Sequence, residues 1–160
     1  MALWFAARGM GTSLNDAPYH STSRVLLSGL GADEQLGGYS RHLSAFQSGS
    51  WQGLLSEIQM DVDRISTRNL GRDDRIMSDH GKEVRFPFLD TDVIHHLCAL
   101  AIHFKADLRL KRGFGDKILL RLLAKSLGLP LLSQEPKRAI QFGARTAKLE
   151  SNKDKGHFQL

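Results

Sequence analysis

The sequence predicts an α/β fold seen mostly from its helix-rich side, and three observations predict it. The first is a short apolar run, Arg24-Val-Leu-Leu-Ser28, followed at once by Gly29-Leu-Gly-Ala-Asp-Glu34. A parallel strand covered by helices on both faces needs no polar alternation and reads this way, with a loop at its end. The second is an apolar stripe, Trp51, Leu54, Leu55, Ile58, Val62 and Ile65, recurring at spacings of three and four as on one face of a long helix. The third is an imbalance: one strand stands among several helices, too few strands for a self-contained sheet. Either the chain is an all-α domain with one odd strand, or it is the C-terminal portion of a larger α/β domain.

In chain order, Ala, Leu, Trp and Phe within residues 1–11 form a short helix that stops at Gly9-Met-Gly11, and residues 12–23, rich in turn formers, read as a polar loop. Val25 to Leu27 is the buried strand, and the long helix follows from Trp51. A second helix is expected over Thr91–Leu100, with Asp90 or Thr91 as N-cap and Val93, Ile94 and Leu97 facing inward. A third, Asp116 to Leu127, is expected to bury Ile118, Leu119, Leu122 and Leu123, and to end at Gly128 with Pro130 beyond. Residues 1–150 form the body and 151–160 a flexible tail.

Composition is that of a globular protein: 160 residues, 41% hydrophobic and 24% charged, close to the average for soluble domains. No apolar run reaches the length of a membrane span, and the start has no basic region before its apolar residues. The single cysteine, Cys98, allows no internal disulfide and no multi-thiolate metal site, so a reducing, cytoplasmic setting is expected. The net charge of +5 is uneven: residues 1–100 stand near −3 and residues 101–160 near +8. A basic surface attracts nucleic acid, anionic lipid or nucleotide phosphates alike. Only Phe104 and Phe114 interleave with Lys105, Arg109, Lys111, Arg112, Lys117, Arg121 and Lys125, which argues against nucleic acid and for a solvated face.

The chemistry concentrates in Ser28-Gly-Leu-Gly-Ala-Asp-Glu-Gln-Leu-Gly-Gly-Tyr39. Glycines after a strand let a ligand approach the backbone, free N–H groups favour anions, and an Asp-Glu pair suits magnesium beside phosphates. The third glycine of a dinucleotide fingerprint is replaced by Glu34, and the Gly-Lys-Ser/Thr of a P-loop is missing. The bland alternative is a tight strand-to-helix turn capped by Asp33 or Glu34. Arg72-Asp-Asp-Arg75, running on to Glu83-Val-Arg85-Phe-Pro-Phe-Leu-Asp90, reads as an internal ion-pair network locking a turn. Pro136-Lys-Arg-Ala-Ile-Gln-Phe-Gly143 sets a basic pair between a proline and a glycine. A fixed ammonium there suits a phosphate or a leaving group.

These stretches, with Asp116-Lys-Ile-Leu-Leu-Arg121 between them, resemble in residue type and order the synthetase domain of glutamine-dependent asparagine synthetases, over roughly Val25 to Gly143. Leu36-Gly-Gly-Tyr-Ser-Arg-His42 and Arg68-Asn-Leu-Gly-Arg-Asp-Asp-Arg75 are closer still to the divergent branch of asparagine synthetase domain-containing proteins. The resemblance implies a parallel-sheet domain of the ATP-pyrophosphatase kind, related to the adenine nucleotide alpha hydrolases. It also implies ATP, Mg²⁺ and aspartate as partners, with ammonia supplied from glutamine by a separate domain. ATP adenylates the aspartate side chain, pyrophosphate leaves, and ammonia attacks the acyl-adenylate. Carried over by position, Ser28, Gly29, Gly31, Asp33, Glu34, Lys117 and Lys137 would bind ATP and its phosphates. Asp33 would hold the metal, and Lys137 would be catalytic.

Leu30 stands where the family places a glutamate tied to adenylate formation, and a leucine accepts no proton. The family's Ser-Gly-Gly-x-Asp-Ser pyrophosphate loop is not among these residues, and residue 2 is Ala rather than the glutaminase cysteine. The expectation is therefore an asparagine synthetase-like domain that turns nothing over as these 160 residues alone. The alternative is a catalytically silent family member kept for protein contacts.

Overall fold

A computed structural model of the protein describes residues 2–140. The chain opens with α1 (Ala2–Arg8), which packs on α4 (Gly71–Ser78); Trp4 anchors it, its Nε1 donating to Asp79 Oδ2 at 2.6 Å. Gly9, at φ +68°, turns the helix into β1 (Met10–Thr12), which pairs antiparallel with β2 (Pro18–His20) in the register Met10↔His20. The expected polar loop over 12–23 is thus partly a hairpin. Its turn formers close the hairpin tip, where the Ser13 N–H donates to the Ala17 carbonyl and Asp16 takes a positive φ, instead of forming open loop.

The expected strand is present as β3 (Val25–Leu27), and its partner is β4 (Glu83–Arg85). They run parallel in the register Val25↔Glu83, Leu26↔Val84, Leu27↔Arg85, extended by Ser28 N–H to the Arg85 carbonyl. Parallel pairing removes the all-α reading, and the described residues form a helix-rich α/β structure with two small sheets. The expected burial of β3 is not observed: Val25 is 39% and Leu27 76% exposed. A two-stranded ribbon covers little of its own surface, and among the described residues the sheet gains no third strand. The segment read as a charged turn also differs, since Glu83 and Arg85 lie in a strand and pair with each other across its exposed side.

After the short α2 (Ala32–Gln35) comes α3 (Ser40–Arg64), which starts well before the Trp51 stripe and kinks at Ser50, φ 53°. Leu54 and Ile58 from the stripe join Ile102, Ala106 and Leu108 in the core, with Leu43, Phe46 and Trp51 against them. Leu55 turns outward, because it flanks the stripe on the side away from those partners. A π-helical turn (Ser66–Leu70) leads into α4. A 3₁₀ turn (Pro87–Leu89) then leads to α5 (Thr91–Ala99), whose N-cap Asp90 accepts from the Asp92 N–H at 2.9 Å, as expected.

α6 (Ile102–Lys105), α7 (Ile118–Ser126) and α8 (Pro130–Ser133) follow, and α7 ends before Gly128 at φ +78°. Ile118 and Leu119 are half-buried, but Leu122 and Leu123, expected in the core, are exposed. Among the described residues α7 packs chiefly against α6 and α8, and Leu122 and Leu123 lie on the side those helices do not cover. No described helix is long and apolar enough to cross a membrane. The expected tail 151–160, and the last three residues of the Pro136–Gly143 motif, lie outside the described residues.

Candidate functional site

The site begins where β3 ends. Ser28 Oγ accepts from the Leu30 N–H at 3.3 Å, folding the loop back on itself, and a side chain at Gly29 would meet nothing within 4 Å, so that peptide is open to approach. Gly31 is required for a different reason: its φ is +99°, and a Cβ would lie 2.5 Å from the Leu89 side chain. Glu34 turns inward and is only 2% exposed. Its Oε2 accepts from the Gly31 N–H at 3.0 Å, and its Oε1 accepts from the Tyr39 hydroxyl at 2.6 Å and Asn69 Nδ2 at 2.8 Å. Glu34 therefore ties the loop to the π-helical turn from below; its acceptors are already engaged, as the capping alternative anticipated.

Asp33 points the other way. Lys117 Nζ lies 3.0 Å from its Oδ1 and Lys137 Nζ 3.7 Å from its Oδ2, with all three side chains partly exposed. Gly38 makes room for this carboxylate, since a Cβ there would fall 2.0 Å from Asp33 Oδ1. Lys137 Nζ also sits 4.5 Å from the centre of the Tyr39 ring, with the Arg41 guanidinium 4.2 Å from the same centre. A ring face attracts cations, so Tyr39 is a platform for Lys137 while its hydroxyl is held by Glu34. Burial, the Glu34 hydrogen bond and the Glu34 and Asp33 charges push the Tyr39 phenol far above its ordinary value, Arg41 opposing, so it stays protonated.

Lys117 occupies the N-cap of α7 in a left-handed conformation, φ 53°, with its N–H on the Leu36 carbonyl. Lys137 arrives on a segment without regular structure after α8. Between them, Arg121 bonds to Asp116 and to the carbonyls of Ser133 and Glu135. The structure thus brings together Asp33, Lys117 and Lys137, as the sequence expectation required, next to the Ser28–Gly31 loop. Tyr39, Asn69 and Arg121 are contributors that sequence reasoning left without a role, although all three lay within the quoted motifs.

A second ionic cluster lies within α3. Asp61, 3% exposed, accepts from Arg41 Nη2, from His42 Nε2 at 2.9 Å and from Arg64 Nη2 at 2.6 Å. It ties the two ends of the kinked helix together. Among the described residues no three His, Cys, Asp or Glu side chains gather in a metal-binding group.

The comparison with known proteins agrees with these motifs. The family model for asparagine synthase matches residues 46–153, a span that includes Lys117, Arg121 and Lys137. The chain belongs to the asparagine synthase family. It is 56% identical over 159 residues to asparagine synthetase domain-containing protein 1 of Gallus gallus, covering 98% of this chain and 25% of that protein. It is 42% identical over 161 residues to an asparagine synthetase domain-containing protein of Saccharomyces cerevisiae, covering 97% of this chain and 28% of the relative. A putative glutamine-hydrolysing asparagine synthetase of Methanocaldococcus jannaschii is 36% identical over 93 residues, 58% of this chain and 17% of its own length. The chain spans about a quarter of the length of the family relatives it matches over nearly its whole extent.

Proposed function

We propose that the chain carries the phosphate-binding part of a nucleotide site in an ATP-pyrophosphatase-type ligase domain, whose family reaction is the ATP-dependent amidation of aspartate. The observation that supports this most is the convergence on Asp33 of two lysines from separate segments, one beside a helix start and one after a proline. Two ammonium groups on flexible stems, balanced by one partly exposed carboxylate, are poised to exchange that carboxylate for phosphate oxygens. The open Gly29 peptide offers backbone approach beside them. In the family reaction, departure of pyrophosphate builds negative charge, and a placed ammonium such as Lys137 stabilises it by an amount of about 3 kcal/mol.

Magnesium fits this site in one way only. With no cluster of three acidic or imidazole ligands among the described residues, Asp33 would be the protein ligand, and phosphate oxygens would complete the shell, the usual arrangement for this ion. Bound there, it would neutralise phosphate charge. Leu30 supplies no acid or base, and Glu34 is consumed inside the fold, so binding without turnover is the behaviour proposed for these 160 residues. A silent, protein-binding relative is the second reading, and Leu30 is the observation that favours it.

Calorimetric titration of residues 1–160 with inorganic pyrophosphate and with magnesium–ATP tests the proposal. Lys117→Met and Lys137→Met are each expected to weaken binding about tenfold or more, equivalent to about 1.4 kcal/mol. Pyrophosphate release from ATP, aspartate and ammonia is expected to stay at the level of a Lys137→Ala control. Binding unchanged by both lysine substitutions would refute the phosphate site, and strong Lys137-dependent release would refute the absence of turnover.

A further inference from the structure

Lys117 and Lys137 reach Asp33 from segments with no helix or strand in common, so something must fix the distance between them. The backbone alone does not. Lys137 follows the end of α8 by four residues and lies on chain without regular structure. Its own carbonyl accepts one long bond, 3.3 Å, from exposed Arg112.

Arg121 is placed to do it. Its side chain is 11% exposed, on α7 one turn after Lys117, and its own N–H donates to the Lys117 carbonyl. The guanidinium makes four bonds in two directions. Toward the Lys117 side, Nε donates to the Asp116 carbonyl at 2.7 Å and Nη2 to the Asp116 carboxylate at 2.8 Å. Toward the Lys137 side, Nη1 donates to the carbonyls of Ser133 and Glu135, both at 2.9 Å. Asp116 is itself held, its Oδ1 accepting from the Gly113 N–H at 2.5 Å. One rigid planar fork thus bonds to the residue before Lys117 and to the residue two before Lys137. A lysine in its place has one charged nitrogen and no fixed plane, and cannot span both.

We infer that Arg121 is a positioning residue that sets the spacing of the two phosphate-facing ammonium groups, an inference that rests on the phosphate-site reading above. It touches no phosphate itself. Its effect on a bound ligand passes through Lys137, the lysine on the irregular segment, more than through Lys117, which the start of α7 already fixes.

The test combines two measurements on residues 1–160. In the first, trace acetylation by acetic anhydride with peptide mass spectrometry reports lysine accessibility without any ligand. Arg121→Gln and Arg121→Lys are both expected to raise labelling of Lys137 about tenfold or more, a loss of local protection of about 1.4 kcal/mol. Lys105, buried and bonded to the Leu97 carbonyl, is expected to stay protected. Unchanged Lys137 labelling in both variants overturns the inference, as does Lys105 rising in step with Lys137 in both, which marks general loosening. In the second, pyrophosphate affinity is measured in a double-mutant cycle: Arg121→Lys is expected to weaken binding in the parent and to have no further effect in a Lys137→Met background. Additive losses overturn the inference. Lys117→Met and Lys137→Met that both leave pyrophosphate binding intact would instead break the phosphate-site reading, and the labelling result would still decide the role of Arg121.

Discussion

The two ionic clusters of this protein each place one aspartate between several cations, and they differ in almost everything else. Asp61 is buried where the stretch of α3 after the Ser50 kink packs against the stretch before it, with Arg64 from its own half and Arg41 and His42 from the other. Asp33 is partly exposed, and its partners Lys117 and Lys137 come from segments far along the chain. Arginine forks and an imidazole hold their acceptor in a set plane, whereas ammonium groups are point charges that rotate away at little cost. The first cluster is satisfied inside the fold, and on the proposed function the second would give up its internal partner to phosphate oxygens.

The comparison breaks or sharpens under substitution. Asp61→Ala is expected to have the largest effect, a loss of about 3 kcal/mol in chemical denaturation, because it leaves buried His42 without its partner and frees two guanidinium groups. Asp33→Asn, the same loss of charge at the open cluster, is expected to cost less than about 1 kcal/mol, since both lysines reach water. Equal costs at the two sites would erase the distinction. Gly38→Ala should fall between them at about 2 kcal/mol, because the new methyl overlaps the Asp33 carboxylate and one group must move. It should also weaken pyrophosphate binding, whereas an affinity unaffected by the alanine would show that the Asp33 geometry is not critical.

The pH response distinguishes the clusters a third way. Burial holds the His42 imidazole below its ordinary value of 6.5, against the pull of the Asp61 carboxylate. The unfolded chain therefore takes up a proton near pH 6.5 that the folded chain refuses. This contribution to stability is full above about pH 6.5 and is lost as pH falls toward the folded-state value. Although burial pushes the Asp61 carboxyl up, bonds from Arg64, Arg41 and His42 outweigh it and hold it below its ordinary 3.8, so that contribution disappears only at more acid pH. Denaturation midpoints measured across pH 5 to 7.5 should rise with pH in the parent and lose much of that slope in His42→Gln; an unchanged slope would place the proton elsewhere. Tyr39→Phe, which keeps the ring under Lys137 but removes the bond to Glu34, is expected to cost about 1 kcal/mol of stability with little change in pyrophosphate affinity. A large affinity loss would give the hydroxyl a role beyond holding the ring.

Much of this was legible in the residues, and what was not has a physical reason. The Val25–Leu27 strand, the loop after it and the Asp90 cap rest on local signals, and local signals were enough. The meeting of Asp33, Lys117 and Lys137 followed from ordered motifs that resembled a family, not from periodicity or spacing. The β4 strand was hidden because Glu83 and Arg85 are charged, and only an exposed ribbon tolerates that alternation. Leu122 and Leu123 misled because a helical apolar stripe says that a face wants cover, not that cover is present. Glu34 was the ambiguous one: the local bond from the Gly31 N–H matches the capping alternative, and contacts from Tyr39 and Asn69, invisible in the sequence, occupy its other oxygen while its neighbour Asp33 faces the site.

The parallel register Val25↔Glu83 also dictates a timetable. These strands meet only after the chain has closed over all of α3 and α4, and such long closures are slow compared with helix formation. The loop at Ser28 is pinned to Arg85 by that same closure, and Lys137 is further along still. During refolding, helical signal should thus appear well before the Asp33 carboxylate acquires either ammonium partner. A chain stalled at that stage would show most of its helix content and, on the proposed function, would not yet bind phosphate.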